Sequence, residues 1–318
     1  MRAIVQVGIG GPEVLQLQDV PKPEVKRGHL LVRVKAIGTN YIDTMIRRGW
    51  FPMPQRQPYI PGIEVSGIVE AVGEGVENWQ VGQRVMAGGV SGAYAEYCLV
   101  PVELSIPVPS NLSDEEAAAV PVNWITAYIG MVSTGKLKQG ETVLIHAAAG
   151  GVGTAAVQIA KQLGATVFAT AGSDEKVEFV RSLGADVAIN YERENFEEAV
   201  MERTNGRGVD LVMECVGGNV FTMSVRCLAQ GGRLVMYGYA SGNEGIISSR
   251  ELYRRRGTVT VISRTEEAVR EAVERILEWL NDGKVKPIVG ETHPLENAGL
   301  AQFRLETRQT KGKVVLVP

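Results

Sequence analysis

Apolar positions along this chain follow two rhythms. Up to about residue 120 they come in short runs broken by Gly and Pro: LLVRVKAIG (Leu30 to Gly38) alternates in part, then come VSGIVEAVG (Val65 to Gly73), GQRVMA and AYAEYCLVP. Short runs with this punctuation predict a compact, mostly antiparallel, barrel-like unit. The texture changes at SDEEAAAVPVNWITAYIGMV, where Ser113 and the acids Asp114, Glu115 and Glu116 read as a helix start. From Thr142 onward strands and helices alternate: TVLIHA, then TAAVQIAKQLG; TVFATA, then DEKVEFVRSLG; DVAINY, then NFEEAVMERTNG; VDLVMECVG, a helix around Phe221 to Leu228, and GRLVMYGYA. The strands are almost continuously apolar, as strands buried on both faces must be, and the alternation predicts a doubly wound parallel sheet. EEAVREAVERILEWLNDGKV carries Val269, Val273, Ile276, Leu277 and Leu280 at helical spacing and closes at Gly283. The final KVVLVP is a short strand able to return to the first unit.

One junction in the alternating part is unusual. HAAAGGVG (His146 to Gly153) puts three alanines and three glycines between a buried strand and a helix. It matches G-x-G-x-x-G in the register Ala148, Gly150, Gly153, with alanine at the first position, which a tight turn accepts only if φ there is negative. Gly150 would let the backbone approach a pyrophosphate, Gly153 would let helix and strand pack closely, and the helix start would offer N–H groups to the anion. A glycine-rich turn in some other α/β protein is the competing reading, and the flanking strand, helix and second strand favour a dinucleotide. The second strand ends in ATAGSDEK. An NAD site usually has an acid there for the ribose 2′-OH. Here Gly172 and Ser173 leave room for a phosphate, Lys176 lies on the next helical turn and Tyr191 ends the third strand, which favours NADPH. Asp174 and Glu175 point the other way, since they would repel a phosphate if turned inward.

Composition narrows the rest. The 318 residues are 45% hydrophobic and 22% charged, enough for two domains. A net charge of -3 speaks against nucleic acid and anionic membranes. No apolar run is long enough to span a membrane and the start lacks a signal-peptide pattern, so a cytoplasmic protein is expected. Cys98, Cys215 and Cys227 form no CxxC and suggest a reduced compartment. With His29, His146 and His293 they show no zinc-ligand spacing, so no metal is expected. Hydride chemistry would then lack a Lewis acid, a lack that a conjugated acceptor such as a quinone or enone tolerates best.

The sequence resembles the zinc-independent, zeta-crystallin-like quinone oxidoreductases of the medium-chain dehydrogenase/reductase superfamily over essentially its whole length. AIGTNYIDTMIRRGWFP, PGIEVSGIVEAVGEGV, HAAAGGVG, INYERE, YGYASG and ETRQTKGKVVL carry the likeness. The resemblance implies an α/β chain with a GroES-like β-barrel catalytic domain (1–122 and 266–318) and a doubly wound Rossmann domain (123–265). It implies that Asn40 stands where zinc-dependent relatives have a catalytic cysteine and Ile63 where they have a histidine, with Glu64 retained. It further implies an NADPH site: Asn40 and Thr126 near the nicotinamide ribose and phosphates; Gly150, Gly151 and Val152 at the pyrophosphate; Gly172, Ser173, Lys176 and Tyr191 at the 2′-phosphate; Tyr239 and Ser241 near the cofactor after the strand crossing; Ile262 toward the nicotinamide; Arg308 at the phosphates. Met45 departs from the Tyr that close relatives often carry.

The expected function is NADPH-dependent quinone reduction, with Asn40, Tyr41 and Tyr59 as pocket candidates and no catalytic acid or base assigned. A reductase of enones, acryloyl-CoA or enoyl substrates is the alternative, with Arg47, Arg48 and Arg56 as a basic entrance for a CoA ester. A non-catalytic NADPH-binding or RNA-binding protein is the alternative of another class. The resemblance also implies a homodimer through the edge strand at 258–263, TVTVIS.

Overall fold

The partly alternating run at Leu30 forms an eleven-residue strand, His29–Thr39, whose even positions Leu30, Val32 and Val34 are buried. In this computed structural model, residues 1–51 and 59–318 are described, and they divide into two compact units, Met1–Val122 with Pro287–Pro318, and Asn123–Lys286. In chain order the first unit supplies β1 (Arg2–Gln6), β2 (Leu15–Asp19), β3 (His29–Thr39), β4 (Glu64–Val72), β5 (Arg84–Gly88), β6 (Tyr97–Pro101) and β7 (Ser105–Pro107). The second supplies β8 (Thr142–Ile145), β9 (Thr166–Ala171), β10 (Val187–Asn190), β11 (Val209–Glu214), β12 (Leu228–Met236) and β13 (Thr258–Val261); the chain then returns with β14 (Val289–Pro294) and β15 (Lys313–Val317).

In the first unit one sheet runs β14-β15-β3-β4-β5-β7, with β6 also paired to β3 and with β1 and β2 forming a separate hairpin. All pairs are antiparallel except β14 with β15. The closing strand does return: Val314, Val315 and Leu316 pair with Thr39, Gly38 and Ile37. Val314 and Leu316 join Leu30, Val32, Val34, Val65 and Val69 in a single apolar core. Burying a Val or Leu side chain stabilises by about 1.5–3 kcal/mol, so a five-residue strand carries enough to fix this return.

The second unit is a six-stranded sheet, parallel throughout, in the order β10-β9-β8-β11-β12-β13. Every residue of β11 (VDLVME) is buried, the acids Asp210 and Glu214 included. The order reverses between β8 and β11, the place where such sheets open a crevice at their strand ends. Strand β13 ends the sheet and has one free edge.

Two expectations need correction. The return to the first unit starts at 287, not 266. The helix Glu266–Asn281 belongs to the second unit, with the Tyr128 hydroxyl donating to Glu271 at 3.0 Å and the Tyr128 and Trp279 rings 6.0 Å apart. Its buried seam is Ala268, Ala272, Ile276, Trp279 and Leu280, whereas Val269, Val273 and Leu277 are only half-buried. Small alanines on the inward stripe allow close approach of the helix Asn123–Tyr128, and an eye for bulky apolar residues passes over them. No helix among the described residues is long and apolar enough to cross a membrane.

Candidate active-site residues

The second unit places its expected residues at the carboxyl ends of its strands. After β8 the chain turns through Ala147, whose φ of +49° is left-handed, while Ala148 keeps a negative φ. The strained residue is therefore one position earlier than the fingerprint suggests, at a cost of about 1–2 kcal/mol for a residue with a Cβ. The helix Gly151–Gln162 starts at Gly150, which has no side chain to cap it, so the N–H groups of Gly151, Val152 and Gly153 lack intrahelical acceptors. A Cβ on Gly153 would stand 2.4 Å from the Ala147 carbonyl oxygen and 2.5 Å from Ala148 Cα. A Cβ on Gly151 would meet Asn123 Nδ2 at 2.3 Å. These glycines let the loop fold onto its own helix, and the loop can cradle an anion.

The end of β9 forms a second group. Ser173 caps the helix Asp174–Ser182 by accepting from the Lys176 N–H. The Tyr191 hydroxyl lies against Gly172, 2.5 Å from where a Cβ would be. Gly172, Ser173, Lys176 and Tyr191 thus come together. Asp174, the acid that argued for NAD, has both oxygens engaged: Oδ1 accepts from Asn190 Nδ2 at 2.6 Å and Oδ2 pairs with Arg193 at 2.7 Å. Neither partner was singled out from the sequence. Their only signal was position, at the end of the neighbouring strand.

At the ends of β11 and β12, two turns pack together. Glu214 is wholly buried, and its Oε1 accepts the N–H groups of Val216 and Gly217. Burial pushes this carboxyl above its ordinary range, against the pull of those two N–H groups. Gly217 and Gly218 have positive φ, and a Cβ on Gly217 would meet Asn243 O, Ser241 Oγ and Tyr239 Cβ. Tyr239 and Ser241 are thereby held at one turn. Ile262 follows β13 and donates its N–H to the Met236 carbonyl. Thr126, half-buried on the helix Asn123–Tyr128, accepts from Arg264 at 3.2 Å.

His146 takes no part in any metal group. Buried at the end of β8, its ring is wedged between Thr170 Oγ1 (3.0 Å) and Ser224 Oγ (2.8 Å), edge-on to Phe196. The Ser224 hydroxyl gives its proton to the Val220 carbonyl, so His146 Nε2 must donate and Nδ1 must accept from Thr170. Burial pushes its pKa down to about 3. The neutral ring is the folded form, so the unfolded chain takes up the proton first as pH falls below about 6.5. Lowering the pH from 7 to 5 should therefore cost about 2 kcal/mol through this residue. Asp43, raised to about 6 by burial, works oppositely between 6 and its ordinary value, because there the folded state holds the extra proton. Thermal melts of wild type and His146→Gln over this range separate the two: the variant should lose less stability on acidification, and parallel curves would refute the assignment.

In the first unit, Asn40 belongs to a buried polar cluster. Lys313 Nζ donates to Asn40 Oδ1 at 2.7 Å and also pairs with Glu64 Oε2. Asn40 Nδ2 donates to the Gly38 carbonyl and to Glu64 Oε2, both at 3.0 Å. The other Glu64 oxygen accepts the Val122 N–H at 2.6 Å. Asp43 accepts the Asn40 N–H at 2.8 Å and the Tyr94 hydroxyl at 3.0 Å. Tyr59 is half-buried, and its hydroxyl is pushed up to about 12 by burial and by the negative charge of Asp43. Tyr41 opens the helix Tyr41–Arg47, its carbonyl accepting from Thr44. Arg308 is exposed, on a turn before β15, with φ +57°.

This cluster does not suit zinc. Among the described residues no group of three or more His, Cys, Asp or Glu side chains is arranged to hold a metal ion. At Asn40, Ile63 and Glu64 the donors are an amide, nothing, and a carboxylate already neutralised by an ammonium. The basic entrance is also corrected. Arg47 is wholly buried, bonded to Gln302, Gly10 O and Glu306, and Arg48 stacks on Trp50 at 3.7 Å. Arg56 lies outside the described residues.

A parallel dinucleotide-type sheet in one unit and a GroES-like sheet in the other define a medium-chain dehydrogenase/reductase. Family models agree: "Alcohol dehydrogenase GroES-like domain" matches residues 26–110 and "Zinc-binding dehydrogenase" matches 151–281. A quinone oxidoreductase of Pseudomonas aeruginosa is 37% identical, with 97% of each chain covered. The structure of Escherichia coli quinone oxidoreductase complexed with NADPH is 34% identical, covers 100% of both chains and superposes with a TM-score of 0.94. A structure described as an NAD-dependent alcohol dehydrogenase is 35% identical, with the same full coverage and a TM-score of 0.93. The chain belongs to the zeta-crystallin-like quinone oxidoreductases of this superfamily.

Proposed function

We propose that the protein is an NADPH-dependent quinone oxidoreductase that works without zinc. The observation that carries the coenzyme choice is the end of β9: Gly172 admits the Tyr191 hydroxyl beside it, Ser173 accepts the Lys176 N–H, and the Asp174 carboxylate is already engaged by Asn190 and Arg193. The glycine loop at Gly150, Gly151 and Val152 takes the pyrophosphate. Thr126, Tyr239, Ser241 and Ile262 serve the nicotinamide half. Asn40 and Arg308, in the other unit, are assigned to the coenzyme on the resemblance alone.

When bound, NADPH supplies a hydride, and one proton completes the two-electron reduction of a quinone to a hydroquinone. The chain's own part is positioning. Both amide protons of Asn40 are already donated and its Oδ1 already accepts from Lys313, so in this arrangement it is no donor to a quinone carbonyl. The Tyr59 phenol, pushed up to about 12 by burial and the charge of Asp43, is a poor acid at neutral pH. Burial of Arg47 weakens the CoA-ester reading, and the net charge of -3 weakens an RNA-binding one.

NADPH oxidation with 1,4-benzoquinone, 9,10-phenanthrenequinone, 2-cyclohexenone and crotonyl-CoA tests the substrate class. Quinone turnover that survives EDTA is expected. Turnover of the enone or CoA ester alone would move the function to double-bond reduction, and silence with NADPH bound would favour a non-catalytic role. A cytoplasmic homodimer is part of the proposal. Strand β13 leaves the sheet edge open, with Val261 57% exposed, and such an edge invites pairing with a second copy. Sedimentation as a monomer would contradict it.

A further inference from the structure

We propose that Arg193 sets the coenzyme preference by holding the Asp174 carboxylate away from a 2′-phosphate. The proposal rests on the NADPH reading and explains how that reading survives an acid in the wrong place. Asp174 sits between Ser173 and Lys176, at the first position of the helix Asp174–Ser182. A carboxylate on this turn normally serves a ribose 2′-hydroxyl, and it repels a phosphate dianion.

Here the carboxylate is held from two sides. Asn190, 8% exposed at the end of β10, is fixed because its Oδ1 accepts the Glu192 N–H at 3.1 Å, and its Nδ2 then donates to Asp174 Oδ1 at 2.6 Å. Arg193 Nη2 pairs with the other oxygen at 2.7 Å. Asn190 supplies the geometry and Arg193 the charge. The two ends of this device come from the loops after β9 and β10, and Tyr191 from the same β10 loop lies against Gly172. The same short segment therefore builds the flank of the phosphate space and neutralises the acid beside it.

The pair itself adds little stability, because both side chains are well exposed, at 71% and 56%. Arg193→Ala should fold normally, so its effect on binding is readable. Calorimetry with 2′,5′-ADP and 5′-AMP isolates the adenosine end, without turnover, in wild type, Arg193→Ala, Asp174→Asn and the double variant. Arg193→Ala should weaken 2′,5′-ADP about tenfold, as expected for one unit charge uncovered near a dianion in a watery setting, and leave 5′-AMP within about twofold. Asp174→Asn should bind 2′,5′-ADP at least as well as wild type. In the Asp174→Asn background the arginine change should cost less than about twofold.

An equal loss in both backgrounds would mean that Arg193 holds the phosphate directly, and would overturn the proposal. No loss in either background, or a matching loss of 5′-AMP, would overturn it too. A wild type that binds 2′,5′-ADP no tighter than 5′-AMP would sink the NADPH reading itself, an outcome distinct from an uncoupled cycle in a protein that does prefer the phosphate.

Discussion

Lys313→Met should destabilise the first unit by about 3–5 kcal/mol, the loss typical when one partner of a buried ion pair is removed. Lys313 is 2% exposed and Glu64 is fully buried. Without the ammonium, Glu64 would remain an uncompensated charge with only the Asn40 amide and the Val122 N–H as partners. The double variant Lys313→Met/Glu64→Gln should recover most of the loss, since no unpaired charge is then left inside. The two units need not melt together, so calorimetric scans that resolve separate transitions are the right measurement. A single variant as stable as wild type would mean that the pair is not the buried contact described here.

Gly153→Ala should destabilise the other unit and weaken coenzyme binding. Its new methyl would meet the Ala147 carbonyl oxygen at 2.4 Å and Ala148 Cα at 2.5 Å. Both are backbone atoms, so no side chain can swing aside. Overpacking of this kind costs about 1–3 kcal/mol, and here the strain falls on the loop that presents its N–H groups to the pyrophosphate. We expect NADPH affinity to fall at least about tenfold, a loss of about 1.4 kcal/mol or more. In stability alone, Gly150→Ala should cost less, because a Cβ there meets only the Ala147 oxygen, at 3.3 Å. Equal binding by wild type and Gly153→Ala would refute the loop's assigned role.

Much of this architecture is legible in the sequence because burial dictates it. Strands buried on both faces favour apolar residues, so β8 and most of β9 read as near-continuous apolar runs, while the two buried acids of β11, Asp210 and Glu214, accept backbone N–H groups. HAAAGGVG announces close backbone approach because only small side chains allow it. Other features are legible only in space. The seam Ala268/Ala272, which seats the helix Glu266–Asn281 in the second unit, escapes a search for large apolar residues. Arg47 looks like surface charge until Gln302 and Glu306, far along the chain, are seen to meet it. Asp174 counts against NADPH until Asn190 and Arg193 arrive from the next strand. The polar pairings that decide charge are long-range, and no local pattern encodes them.

The central claim is reduction of a quinone by NADPH at a site that needs no metal. Its most direct test is kcat/KM for NADPH and for NADH with 1,4-benzoquinone, on protein treated with EDTA. The account predicts turnover unchanged by the chelator and at least about tenfold better with NADPH than with NADH, a margin of about 1.4 kcal/mol. Equal use of the two coenzymes, or loss of activity on chelation restored by zinc, would contradict it.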